Sequence, residues 1–490
     1  MKLSKSKYCE GIQCEKILWL NDHKPECRVE TSNQSTLDNG TEVGNLAKQL
    51  FGSHIDIPFS EKLSEMIADT NRALENENVI ITEASFEYQN CFCSVDILKK
   101  TGDTYEIYEV KSSTDIAPIY LEDVAFQTYV LSKNGYKISK VNIVHLNRNY
   151  VRKGALNLKE LFVIEDVTDT IIDKLKCVEE NIRRILYNTN TSIEPEKKLS
   201  MSCMNPYECP YFAYCTKNLE PNNVFKIRGM RNSTKFKLYD DGIILYNDLL
   251  KVDLNDKYKQ QIEFELYDLK PNIDTDYIRK FLKTLDYPLY FLDFETYQQP
   301  IPEFDNVSPY MQIPFQYSLH YYEREDGELK HKEFLGTPPN DPRRELALQL
   351  VKDIPLDVCT VAYNMMFEKM VIKNLAELYP DLKEHLMNIY NNMHDLMIPF
   401  KERKYYTKSM QGSFSIKYVL PALFPDDESL NYHNLDQVHN GSEAMSIYAI
   451  LKEMDPEERK KTRKNLLKYC GLDTYAMVKI HEKLKSISRW

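Results

Sequence analysis

Runs of apolar and β-branched residues broken by turn residues mark three successive strands in the first quarter of the chain. Val79–Tyr88, Phe92–Lys99 and Thr104–Lys111 each read as a strand. Asn90 marks the first turn, and Thr101, Gly102 and Asp103 the second. The pattern then turns helical over Leu121–Asn134, returns to a strand at Lys140–Leu146, and becomes a long helix over Val167–Asn188 with apolar residues at helical spacing. Residues 221 to about 285 read as a connector. Within it, Asn223–Lys237 carries Lys226, Arg228, Arg231, Lys235 and Lys237 and no acid. A short apolar strand, Pro288–Phe294, opens the last part. Strands and helices alternate from there to a helix over Asp455–Lys485, with Pro456 in its first turn, where proline is tolerated. The pattern predicts α/β architecture in three segments: 1–220, a basic and helical connector 221–285, and 286–490.

Composition narrows the class. At 490 residues the chain is long enough for about three domains. Apolar residues make up 42% and charged residues 28%, and only 14 Gly are present, so a packed globular protein is expected rather than a disordered one. The formal charge, 63 − 74 = −11, argues against a general nucleic-acid coat protein. It leaves a nuclease open, because metal-binding carboxylates are acidic themselves. Apolar runs fall short of the roughly 18 residues that a membrane helix needs. The opening MKLSKSKYCEGIQ has no signal-like stretch. The expectation is a cytoplasmic protein with no membrane partner. Its 11 Cys are odd in number and clustered, which favours metal ligation over a disulfide framework.

Glu109 and Lys111 lie two apart on a predicted strand, so they share a face, and Asp96 on the preceding strand can reach that face. A nuclease needs carboxylates for a divalent metal and a cation near the scissile phosphate. An isolated Glu-Val-Lys is ordinarily a solvated pair; the company of Asp96 and Gln127, the latter expected to open a covering helix, changes that. Ser94-Val95-Asp96-Ile97, Tyr108-Glu109-Val110-Lys111-Ser112-Ser113 and Ala125-Phe126-Gln127 together resemble the RecB-like branch of the PD-(D/E)xK nucleases. The resemblance implies a restriction-endonuclease-like domain with Mg²⁺ or Mn²⁺ at Asp96 and Glu109, and catalytic roles for Lys111 and Gln127. Tyr129 stands two residues after Gln127 where the family often has Gln-x3-Tyr. Gly40-Thr41-Glu42-Val43-Gly44 replaces the family's Gly-x3-His, which makes Glu42 the candidate for a further ligand.

Cys203, Cys209 and Cys215 follow one another with prolines between them, and three thiolates lack one ligand for a four-coordinate site. Cys14 is the natural fourth and Cys9 the alternative. The arrangement resembles the iron–sulfur nucleases of the RecB-like branch, the AddB-type subunits and the CRISPR-associated nucleases. It implies a [4Fe–4S] cluster on Cys14, Cys203, Cys209 and Cys215 that staples the domain ends, with zinc as the runner-up metal.

Near the far end, Phe291-Leu292-Asp293-Phe294-Glu295-Thr296 places Asp293 and Glu295 on one face of a strand, where they repel unless a cation lies between them. Tyr469 and Asp473 are four apart on a helix and share its face. Ala362-Tyr363-Asn364-Met365-Met366-Phe367-Glu368 supplies another carboxylate at a helix start. The ordered set resembles the DnaQ-like 3′–5′ exonucleases. That resemblance implies an RNase-H-like α/β domain in which Asp293, Glu295, Glu368 and Asp473 hold two Mg²⁺ or Mn²⁺ ions and Tyr469 orients water. The family usually has Asp where Glu368 stands; Asp395 is the alternative third carboxylate. Gly412-Ser413-Phe414-Ser415-Ile416-Lys417 resembles the family's substrate-contacting loop, with Ser415 equally suited to capping the helix. Arg403 and Lys404, with Tyr405 and Tyr406 beside them, suit single-strand contact by charge and stacking.

Taken together, the resemblance implies a bacterial fusion of both nuclease types acting on nucleic acid, DNA ahead of RNA, in repair or phage defence. No Walker-type loop is apparent, so single-stranded or frayed ends, or a partner helicase, would be needed. An RNA-processing exonuclease and a binding scaffold with a dead site are the alternatives.

Overall fold

The computed structural model describes residues 2–29 and 34–488. The chain forms two compact units, one of Met1–Leu219 with Gln299–Tyr310, the other of Glu220–Gln298 with Met311–Trp490. Both are mixed α/β. The segment expected as a connector counts with the second unit.

The first unit is built on a seven-stranded sheet. Its strands are β1 (Leu3–Ser4), β2 (Ile55–Asp56), β3 (Asn78–Tyr88), β4 (Cys91–Thr101), β5 (Thr104–Lys111), β6 (Lys137–Leu146) and β7 (Phe162–Asp166), in the order β2-β3-β4-β5-β6-β7 with β1 against β4. The antiparallel run β3-β4-β5 is the meander that the sequence pattern predicts. β4 has a divided edge. Ile97–Thr101 pair with β5, whereas Cys91 and Phe92 take the two residues of β1 in parallel. Between them the edge opens at Asp96. There Asp96 Oδ2 accepts the Val110 N–H (2.8 Å), which has left the β4 ladder. The helix Pro118–Lys133 begins earlier than its apolar spacing predicts, because Pro118 takes the first helical position after the extended Ala117. It packs with the helices Lys5–Gln13 and Thr168–Thr189 over one sheet face through Tyr8, Phe126, Val130, Val178 and Ile185. The other face is covered by Val43, Ala47, Tyr150, Leu161 and Ile301.

The second unit centres on a five-stranded sheet: β9 (Leu289–Tyr297), β10 (Ile313–Tyr322), β11 (Lys330–Leu335), β12 (Cys359–Ala362) and β13 (Met393–Asp395). The order is β11-β10-β9-β12-β13; β10 is antiparallel to β9 and β11, whereas β12 runs parallel to β9 and β13. β9 alternates strictly. Leu289 and Phe291 join the core formed with the helices Ile416–Leu423 and Pro456–Ser488. Tyr290, Leu292 and Phe294 join the opposite core, with the helices Arg343–Asp353 and Met366–Leu378. Asp293 and Glu295 continue the first series, so they fall on the face shared with the Pro456–Ser488 helix. Residues 220–285 carry a small core of their own around Val224, Ile227, Tyr246, Leu249 and Ile262. A two-stranded ribbon, β8 (Asn272–Ile273) with β14 (Tyr405–Tyr406), completes the unit. Among the described residues no helix is long and apolar enough to cross a membrane.

Candidate functional site

Four carboxylates meet in the second unit. Asp293 and Glu295 come from β9, Glu368 from the first turn of the Met366–Leu378 helix, and Asp473 from the middle of the Pro456–Ser488 helix. Glu295 and Glu368 are buried. Among the described residues none of the four forms an ion pair with lysine or arginine. Burial and mutual repulsion therefore favour their protonated forms. Asp293 is pushed well up by burial, Asp473, Glu295 and Glu368, and Glu295 well up by burial, Asp473 and Glu368. Glu368 rises to about 8 through burial, with Asp395 and Asp473 adding to it, and Asp473 to about 6 through burial. Such a cluster is short of positive charge.

Three residues that sequence spacing did not single out complete it. Cys470 lies with its Sγ 3.7 Å from Asp293 Oδ2, and Asp293, Glu295 and Cys470 offer atoms within 4.8 Å of one another. Tyr432 donates to Asp473 Oδ1 at 2.6 Å. Tyr469 stands close by, and burial beside Asp473, Glu295 and Asp293 raises that phenol. Gly441 brings its backbone near Glu295 Oε2, 3.6 Å from where a Cβ would stand. No spacing in the sequence points to Tyr432, in a single 3-10 turn, or to Gly441, the first residue of the helix Gly441–Ile450, because each reaches the site from an element of its own.

Asp395 is a neighbour with another task. Its Oδ1 accepts the N–H groups of Asn364 (2.9 Å) and Met397 (3.0 Å), which ties β13 to the start of the glutamate's helix. Glu368, by contrast, keeps Oε2 buried and without a hydrogen-bond partner. The geometry puts Glu368 among the carboxylates. Lys417 is exposed, and its charge eases ionisation of Glu295 and Asp473. It shares with Tyr432 an open cavity of about 570 Å³ that also reaches Phe424, Asn431 and His439. Ser415 holds the N-cap position of the Lys417 helix without a side-chain cap bond, and is exposed. Arg403 and Lys404 are placed differently from the sequence expectation. Arg403 is buried, stacks on Tyr406 and donates to the Gly412 carbonyl at 2.6 Å; Lys404 pairs with Asp274 at 3.1 Å. Tyr405 and Tyr406 are core residues, because the pairing of β14 with β8 turns them inward.

The first unit holds the second constellation. Asp96 and Glu109 share a face as the strands predict, and Glu109 is 1% exposed. Lys111 reaches Glu109 Oε1 (2.7 Å) and Asp123 Oδ2 (2.6 Å). Gln127 stands in the middle of its helix, not at its start, and donates to Glu109 Oε2 (2.8 Å) and Asp123 Oδ1 (2.9 Å). Burial opposes the charge on Glu109, yet Lys111 and Lys5 overcome it and hold the carboxyl far below its usual range. Asp96 moves the other way, to about 6, through burial and the charge on Glu109. Asp123 and Lys5 are additions that strand spacing did not show. Glu42, the sequence candidate for a further ligand, is exposed.

Cys14, Cys203, Cys209 and Cys215 line one small cavity in the first unit, with Ile17, Leu20, Leu199, Tyr211 and Phe212 around them. Cys14 sits at the joint between the helices Lys5–Gln13 and Glu15–His23, and the Cys209 N–H donates to the Cys203 carbonyl at 2.8 Å. Burial pushes the Cys209 thiol up to about 12, with the other three thiols adding to it. Four thiols on the wall of one apolar chamber, with Lys16 and Lys197 beside them, are the donor chemistry a metal–thiolate group takes, although no three of these sulfurs lie within 4.8 Å of one another among the described residues. Cys9 lies elsewhere, its Sγ directed at the Ile119 carbonyl, and burial with Asp123 nearby raises its thiol. Gln13 strengthens the joint by donating to the carbonyls of Ser202 (2.9 Å) and Tyr207 (2.7 Å).

One family model, a domain of unknown function (DUF2779), matches residues 290–415. That stretch contains Asp293, Glu295, Glu368 and Asp395 and stops before Lys417, Tyr469 and Asp473. No curated protein matches the chain.

Proposed function

We propose that the protein is a metal-dependent nuclease with a hydrolytic site in each unit, acting on single-stranded or frayed ends of DNA. In this reading the second unit is a DnaQ-like 3′–5′ exonuclease and the first a RecB-like PD-(D/E)xK nuclease with an iron–sulfur staple. One observation carries it: Asp293, Glu295, Glu368 and Asp473 stand together where, among the described residues, no lysine or arginine forms an ion pair with them, a crowding that bound metal would relieve with all four ionised. Mg²⁺ or Mn²⁺ held there would activate water and offset charge on a phosphodiester.

The chain's own groups supply the rest. Tyr432 fixes Asp473 through its hydroxyl, and Tyr469, buried beside the carboxylates, positions the attacking water. Lys417 at the rim draws the phosphate in, and the cavity beside it has room for a terminal nucleotide. In the first unit Asp96 and Glu109 would hold the metal. Gln127 keeps Glu109 oriented and Lys111 offsets phosphate charge. Cys14, Cys203, Cys209 and Cys215 would hold a [4Fe–4S] cluster that ties the first helices to residues 203–215, with zinc as the alternative. The mixed five-stranded sheet, with two carboxylates on its central strand, supports the RNase-H-like reading.

The test is cleavage of end-labelled single-stranded DNA and RNA in Mg²⁺ or Mn²⁺ by anaerobically purified protein. Asp293→Ala, Lys111→Ala and the double variant run beside wild type. Loss of a separate product pattern in each single variant is expected, with DNA cut in preference to RNA. A preference for RNA favours the RNA-processing reading. No cleavage by wild type with its metal content intact overturns the nuclease reading and favours a scaffold.

A further inference from the structure

Lys5 is the first residue of the Lys5–Gln13 helix, and β1, paired to the head of β4, delivers it over the open edge at Asp96. Its Nζ lies 3.2 Å from Asp96 Oδ1 and 3.0 Å from Glu109 Oε1. Other oxygens of these two carboxylates are already committed. Asp96 Oδ2 accepts the Val110 N–H and Glu109 Oε2 accepts Gln127. The Lys5 ammonium shares Glu109 Oε1 with Lys111 and bridges it to Asp96 Oδ1, the remaining oxygen of the other carboxylate.

We propose that Lys5 is the resident cation of this site and is exchanged for the divalent ion when the site loads. The inference rests on the reading of Asp96 and Glu109 as metal ligands. Charge supports the exchange. Asp96, Glu109 and Asp123 contribute −3, and Lys5 and Lys111 contribute +2, which leaves −1. A divalent ion added with Lys5 in place makes the site +1; with Lys5 withdrawn the sum is zero. The long stem makes withdrawal feasible: the Lys5 side chain is 25% exposed, so the ammonium can swing to water by rotating its own bonds. Lys111 is the poorer leaving group, because it rises from β5 between Glu109 and Asp123 and is 18% exposed. The carboxylates of the second unit have no such partner among the described residues. The two sites should thus load in order as metal concentration rises, the second unit first.

Two measurements on the full chain test this. Reaction of wild-type lysines with an acetylating reagent, read by mass spectrometry, should show Lys5 protected without divalent ions and labelled once Mn²⁺ is added, with Lys111 as internal reference. Mn²⁺ binding followed by electron paramagnetic resonance, in an Asp293→Asn, Glu295→Gln background that silences the second unit, should be about tenfold tighter with Lys5→Met than with Lys5. Unchanged or weaker binding in Lys5→Met, with Lys5 labelling indifferent to Mn²⁺, overturns the exchange while leaving the metal site standing. Failure of Asp96→Asn to reduce Mn²⁺ uptake in that background instead removes the metal reading of the site, and the exchange falls with it.

Discussion

Glu368 is one methylene longer than the aspartate that the resemblance leads one to expect. From the first turn of its helix its charge raises Asp293 and Glu295, and its Oε2 is buried without a hydrogen-bond partner. Glu368→Gln removes a carboxylate that, among the described residues, no lysine or arginine pairs with, and so a ligand for metal. Cleavage by the second unit is expected to fall by about 10²-fold or more, read with single-stranded DNA in excess Mn²⁺. Stability should respond in the opposite sense. Carboxyls raised on folding, Glu368 to about 8 and Asp473 to about 6, favour the protonated fold. Their contribution is fully present below the ordinary carboxyl range and is lost as pH rises through about 6 and then about 8. Each tenfold gain in proton affinity on folding corresponds to roughly 1.4 kcal/mol before solvent relaxation. Metal-stripped protein should therefore melt at progressively lower temperature from pH 5 to 8.5. Glu368→Gln should flatten the upper part of that slope, and Mn²⁺ should abolish it. Most of this site was legible because strand and helix periodicity alone put Asp293 with Glu295, and Tyr469 with Asp473. Tyr432, Lys5 and Asp123 were not, because they arrive from elements whose packing no local spacing encodes.

Among the elements, the run from Arg403 to Tyr418 shows how the same residues can read two ways. Lys, Arg and Tyr in succession suit a nucleic-acid grip, yet pairing of β14 with β8 commits Arg403, Tyr405 and Tyr406 to the interior. The run then turns at Gly412, where φ is +78° and a Cβ would stand 2.2 Å from Gln261 Oε1. Gln261 is itself fixed, accepting the Arg228 N–H and donating to the Lys226 carbonyl, each at 3.0 Å. Gly412→Ala should cost about 1–3 kcal/mol, seen as a lower melting temperature. It should also weaken substrate binding, because the Lys417 helix starts four residues later. The β3-β4-β5 meander was readable from alternation and turn residues. The β1 strand was not: two residues give no period, and their pairing is what carries Lys5 to its carboxylates.

On the scale of the whole molecule, the cysteine cavity joins stretches nearly 190 residues apart, Cys14 and Cys203 being its first two walls. Cys14→Ser and Cys215→Ser are each expected to lose bound metal and to lower the stability of the first unit by about 3 kcal/mol or more, measured as metal content and melting temperature. Cys9→Ser should keep its metal, since Cys9 faces Ile119. The thiol count and clustering made the cavity foreseeable; the choice between Cys9 and Cys14 needed the packing of the first two helices.

The chain passes between the units three times, after Leu219, after Gln298 and after Tyr310. A single crossover between genes would therefore always divide one unit: a break near residue 220 leaves behind the 299–310 segment, whose Ile301 belongs to the first unit's core and whose backbone meets Arg152. Neither unit can be moved to another gene by exchanging one end. Any single truncation that removes one unit should therefore also strip the other of part of its own chain.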